Sequence, residues 1–119
     1  MTDRQRAIDE ARRRMRAASD PRDHIYWKLI GRMIETNSAL DHFGHEIDES
    51  GEAWSYCISV KGMLTEPFSG CLPLIQIIKV TGSMETLMRF NEVRNNAVKI
   101  DDQQKNICTD RICEAVLVQ

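Results

Sequence analysis

Three groups of residues in this chain have types and spacings that could do chemistry. The first is Asp41-His42-Phe43-Gly44-His45-Glu46. On a helix Asp41 and His45 stand four apart, as do His42 and Glu46, so each pair could share a metal ion. A metal-dependent enzyme at His42, His45 and Glu46 is one reading of that segment. The HExxH order of zinc proteases is absent, however, and a di-iron bundle needs two such motifs on two helices. Histidines late in a helix also simply favour its negative end. The expectation is no metal and no cofactor.

The thiols form the second group. Cys57, Cys71, Cys108 and Cys113 show no CxxC spacing of the kind that zinc ribbons and thioredoxin-like sites require. In a reducing compartment they read as free, largely buried, small apolar residues. Cys71 follows Ser69-Gly70 in a loop, but nothing nearby supplies the base a catalytic cysteine needs. GxSxG, GxGxxG and Walker patterns are missing as well. No catalytic residue is assigned, and the expectation is a protein that is not an enzyme.

The third group is cationic. Residues 1–32 hold nine of the sixteen basic side chains against five acidic ones, while the rest of the chain holds seven against thirteen. An overall charge of −2 thus conceals a basic N-terminal segment and an acidic remainder, an asymmetry that concerns partners more than fold. Arg6, Arg12, Arg13, Arg14 and Arg16 could hold phosphates or an acidic protein surface through their planar guanidinium groups. Asp9–Arg13, Glu10–Arg13 and Glu10–Arg14 also stand at helical ion-pair spacing, which would leave only a solvated, self-paired helix. A sequence pI of about 5.9 weighs against nucleic acid as the partner.

The elements that must carry these groups read as helices. Ile8, Ala11, Met15 and Ala18 mark one stripe of a basic helix over about 3–19. Ser19-Asp20-Pro21 ends it and opens a second, with Asp20 as cap and Pro21 in the first helical position. Tyr26, Ile30, Met33, Asn37, Leu40, Gly44 and Ile47 extend a four-three spacing that predicts one long helix over about 21–48, closed by Gly51. Some 26 residues would span ~39 Å, long enough to finish burying itself against a second subunit. Tyr26, Trp27, Ile30, Met33, Leu40 and Phe43 are the expected interface.

Residues 52–82 fit two templates. Trp54, Tyr56, Ile58 and Val60 alternate with polar residues as in a strand, yet Ala53, Tyr56, Cys57, Val60 and Leu64 also share a helical face. Leu74–Val80 is short and β-branched, and Thr65–Pro73 is a loop. The helical neighbours tip both segments towards helix. Further helices are expected from Ser83 to about Val98, with Thr86, Phe90, Val93, Ala97 and Ile100 inward, and beyond Asp101-Asp102, with Cys108, Ile112, Ala115 and Val116 inward.

The sequence therefore predicts a single, mainly α-helical domain, a small bundle of five or six helices around one long central helix. The alternative is an α+β fold with a short hairpin within 52–82. At 119 residues one core is the expectation. No apolar run approaches the ~20 residues that cross a bilayer, and no apolar stretch follows the Arg-rich N-terminus, so a cytoplasmic protein without a membrane partner is expected. The expected function is a non-catalytic adaptor, inhibitor or regulatory subunit. It would be a homodimer that occupies the acidic surface of another protein. Nucleic-acid or nucleotide-phosphate binding through the arginine helix is the runner-up.

Overall fold

The computed structural model describes residues 2–36, 43–59, 72–80, 84–95 and 102–118, the side chains of 59 and 102–108 excepted. Along the chain come α1 (Asp3–Ala17), α2 (Pro21–Thr36), β1 (Phe43–Ile47), β2 (Ala53–Ser59), β3 (Leu74–Lys79), α3 (Met84–Asn95) and α4 (Asp102–Val118). The strands form one antiparallel sheet in the order β1-β2-β3.

This corrects the expected all-α bundle of five or six helices. The described residues hold four helices and a three-stranded sheet, a mixed α+β fold. The alternative hairpin within 52–82 comes nearer, as β2 and β3 pair there, but it leaves out β1. The long helix over 21–48 is not formed either. The described span of α2 is Pro21–Thr36, and Phe43–Ile47, within the expected helix, is a strand. Its supposed continuation rested on Asn37 and Gly44, both weak helix formers, and Gly44 has a use that only the sheet creates. It lies opposite Tyr56, and a Cβ built on it would sit 2.7 Å from the Tyr56 hydroxyl oxygen. Asn37, Leu40 and His42 lie outside the described residues.

The helical hairpin follows from local signals. Thr2 caps α1 through its side chain, which accepts from the Gln5 N–H at 3.1 Å, and Asp20 accepts from the Arg22 N–H at 2.8 Å to start α2. The two helices run antiparallel and approach closely because Ala7, Ala11 and Gly31 are small and buried. A methyl at Gly31 would lie 3.6 Å from the Ala11 Cβ, so little room remains between them.

Strand alternation then divides the sheet into two faces. Trp54, Tyr56, Ile58, Ile75 and Ile77 point one way and join Ile8, Ile25, Leu29, Ile30, Met33, Ile34, Ile112 and Val116 in the main core under α1, α2 and α4. Cys57 and Ile78 point the other way and meet Phe90 and Leu87 of α3 in a smaller cluster. The sheet thus lies between a three-helix layer and a single helix.

The turn between β1 and β2 is organised by one carboxylate. Asp48, nearly buried, accepts from the Ser50 hydroxyl and N–H, the Glu52 N–H and the Trp54 indole N–H. Gly51 turns the chain at φ +90°, where a side chain would be strained. The Ser50 and Trp54 donors hold the Asp48 carboxyl down at about 2 against an ordinary 3.8. Because the folded value is the lower one, the stabilisation is complete above the ordinary value and disappears as pH falls towards 2. Acid titration followed by tryptophan fluorescence should therefore show stability falling below about pH 4. Asp48→Asn should be less stable at neutral pH and flatter in its acid limb; an unchanged acid limb would show that this turn carries none of the dependence.

Candidate functional site

The arginines of α1 are mostly engaged within the chain. Arg6 pairs with Asp3 at 3.0 Å and Arg12 with Glu35 of α2 at 2.9 Å. Arg13 and Arg14 share Glu10, whose carboxyl their hydrogen bonds hold down at about 2. Arg14 also lies over the Trp27 ring, 4.6 Å from its centroid. Arg16 alone of the five makes no ion pair among the described residues. Arg4, which the sequence did not single out, donates to the Ile34 carbonyl near the end of α2 and helps satisfy its terminal carbonyl groups.

The expected aromatic interface divides. Ile30 and Met33 are core residues. Tyr26 and Trp27 are half-buried and stack edge to face, with ring centroids 5.1 Å apart. The Tyr26 hydroxyl donates to the Pro73 carbonyl at 3.0 Å, and burial pushes its pKa up to about 12. Phe43 opens β1, where it is exposed and capped by the Arg94 guanidinium 4.2 Å above its ring.

The metal reading depended on a helix that is not there. Adjacent strand residues point to opposite faces, so His45 is exposed, with its Nδ1 3.0 Å from the Ser55 hydroxyl, whereas Glu46 turns inward. Glu46 receives a two-pronged bond from Arg32 at 2.7 and 2.9 Å, with Lys28 at 3.4 Å. These cations hold its carboxyl below the ordinary carboxylate range. Among the described residues no three His, Cys, Asp or Glu side chains gather as metal ligands. Cys57 is buried and Cys113 partly so, and burial pushes both thiols up, away from the thiolate a nucleophile needs. Cys71 and the Cys108 side chain lie outside the described residues.

Of the surface residues that stand out, the sequence singled out Phe43 as an interface residue, on a helix rather than a strand, and missed Ile47, Met84 and Met88. Phe43, Ile47, Met84 and Met88 are 45, 58, 74 and 64% exposed on the α3 side of the sheet. Their apolar periodicity looks the same as that of core residues, so only the placement of the elements shows them uncovered. A groove of about 570 Å³ runs along the outer edge of β3, lined by Arg22, Asp23 and Tyr26 of α2, by Leu74–Ile77, and by Cys57 and Val93.

No described helix is long and apolar enough to cross a membrane. No protein-family model, curated protein or solved structure matches the chain.

Proposed function

We propose that the protein is a non-catalytic interaction module, an adaptor, inhibitor or regulatory subunit, that covers part of another protein with the α3 side of its sheet. The observation that carries this reading is the exposure of Phe43, Ile47, Met84 and Met88 on that one side, while the opposite face of the sheet is closed by three helices. Large apolar side chains kept in water on one side are a feature of binding surfaces. Arg94, stacked on Phe43, supplies a cation at the same place, so the fitting partner is an apolar patch edged by carboxylates. Phosphate binding by α1 draws less support. A phosphate would have to displace Asp3, Glu35 and Glu10 from Arg6, Arg12, Arg13 and Arg14.

The test is affinity capture from an extract of the source cells, with quantitative mass spectrometry, comparing the wild type with a Phe43→Asp, Ile47→Asp double variant. Both positions are exposed, so the fold should persist by circular dichroism. A protein retained by the wild type should be lost by the variant and still be retained by Arg12→Ala, Arg16→Ala. Equal retention by wild type and double variant would refute this surface.

A further inference from the structure

The two edges of the sheet are treated differently. In β1, Glu46 points inward, Gly44 interrupts the apolar row, and the outward carbonyl of Ile47 receives the Lys28 ammonium at 3.4 Å. Inward charge and covered backbone are ways in which natural proteins blunt an edge strand. β3 has an inward charge only at its last residue, Lys79, which lies over the Trp54 ring at 5.5 Å, and its backbone is uncovered among the described residues. The Val80 N–H donates to the Ala53 carbonyl at 3.2 Å, and this sets the hydrogen-bonding parity of the β2–β3 register. Leu74, Gln76 and Ile78 face β2 with their backbone groups, and Ile75, Ile77 and Lys79 turn theirs outward. Tyr26 takes the Pro73 carbonyl just before the strand. Among the described residues, nothing pairs with the outward groups of Ile75, Ile77 and Lys79.

We propose that this edge pairs with β3 of a second copy of the chain, antiparallel about a two-fold axis at Ile77, to make one continuous six-stranded sheet. This goes beyond the reading above and uses a different surface. Two features favour a second copy over an unrelated strand. Centring the axis on Ile77 sets Ile77 opposite its counterpart and Ile75 opposite the partner's Lys79, so all three outward-facing residues exchange backbone bonds in one register. Lys79 also shares the α2 face with Ile75 and Ile77. Within its own chain Lys79 pairs with Glu52 at 3.5 Å, both side chains about half exposed, a surface pair that contributes little and exchanges readily. The register carries each Lys79 towards the other copy's groove, where Asp23 stands on α2 with no ion pair among the described residues. Arg22, its neighbour, is turned onto the Trp54 ring, 5.8 Å from the centroid. The charges are thus complementary across the axis. The dimer expected from a long helix returns on another element, for another reason.

The same register sets Leu74 opposite the partner's Val80, a close, non-hydrogen-bonded pair of about 4.5 Å between Cα atoms, within reach of a disulfide. Inside one chain these exposed positions lie six residues apart along an extended segment, roughly 20 Å, which no disulfide spans. A Leu74→Cys, Val80→Cys double variant should therefore oxidise to a covalent dimer that reductant reverses. Each single variant measures the background from the native cysteines. Light scattering of the wild type at micromolar concentration should give twice the 13.7 kDa chain mass. Gln76→Lys, which sets like charges beside the axis, should raise the dissociation constant about tenfold, roughly 1.4 kcal/mol. A wild-type monomer across that range overturns the proposal. So does a dimer that ignores Gln76→Lys and is not trapped by the cysteine pair, since its contact then lies elsewhere. Either result leaves the Phe43 and Ile47 capture experiment to be judged on its own.

Discussion

Ile30→Ala should cost about 3 kcal/mol of unfolding free energy, measured by urea titration followed by far-ultraviolet circular dichroism. Ile30 is fully buried in α2 and belongs to the cluster that joins α1, α4 and the sheet. Removing its outer carbons forfeits their transfer from water and leaves a cavity that three packed layers cannot readily close. Against a total stability of about 5–15 kcal/mol for a domain of this kind, the loss is large. Met88→Ala, on the exposed side of α3, should change stability by less than about 0.5 kcal/mol. A cost below about 1 kcal/mol at Ile30 would mean that the main core does not centre on α2.

Glu46→Ala should follow, at about 2 kcal/mol. The carboxylate is nearly buried on the inward face of β1 and ties that strand to α2 through Arg32 and Lys28. Breaking a fully buried pair costs about 3–5 kcal/mol. Here the side chain of Arg32 is 45% exposed and returns to water when its partner is removed, so the smaller figure applies. A double-mutant cycle with Arg32→Met separates the pair from packing; a coupling near zero would assign the whole effect to the lost side-chain volume. Since the Glu46 carboxyl is held below its ordinary value, the contribution is complete at neutral pH and fades on acidification.

The local grammar of the chain was legible where one segment suffices to express it. Asp20-Pro21 marks a helix start whatever surrounds it, because cap and first-turn geometry involve only neighbouring residues. The stripe Ile8, Ala11 and the row Ile112, Ala115, Val116 likewise announce buried helical faces. Phe90 was placed inward correctly, whereas Val93, assigned to the same row, is 38% exposed at the groove. At Phe43–Ile47 the helical spacing misled, because Gly44 and Ile47 fit a 3.6-residue period as well as they fit a strand. At Trp54–Ile58 both periods matched, and the choice between them followed the helical neighbours. The arginines were legible as a charge cluster, but whether Arg12 is free depends on Glu35, twenty-three residues away.

By itself, then, the sequence determined the break between two helices at Asp20-Pro21, the cap at Asp20, the buried helical rows of α1 and α4 and the local ion pairs of Glu10. These are set by interactions over three or four residues and survive in any fold that contains the segment. Only the tertiary structure decided that β1 is a strand, that His45 and Glu46 part company, that Phe43 and Ile47 stay in water, and that, among the described residues, nothing pairs with the outer edge of β3. A strand has no hydrogen bonds of its own. Its existence, its register and the face each side chain shows are properties of the strand beside it, and no window of the chain contains both.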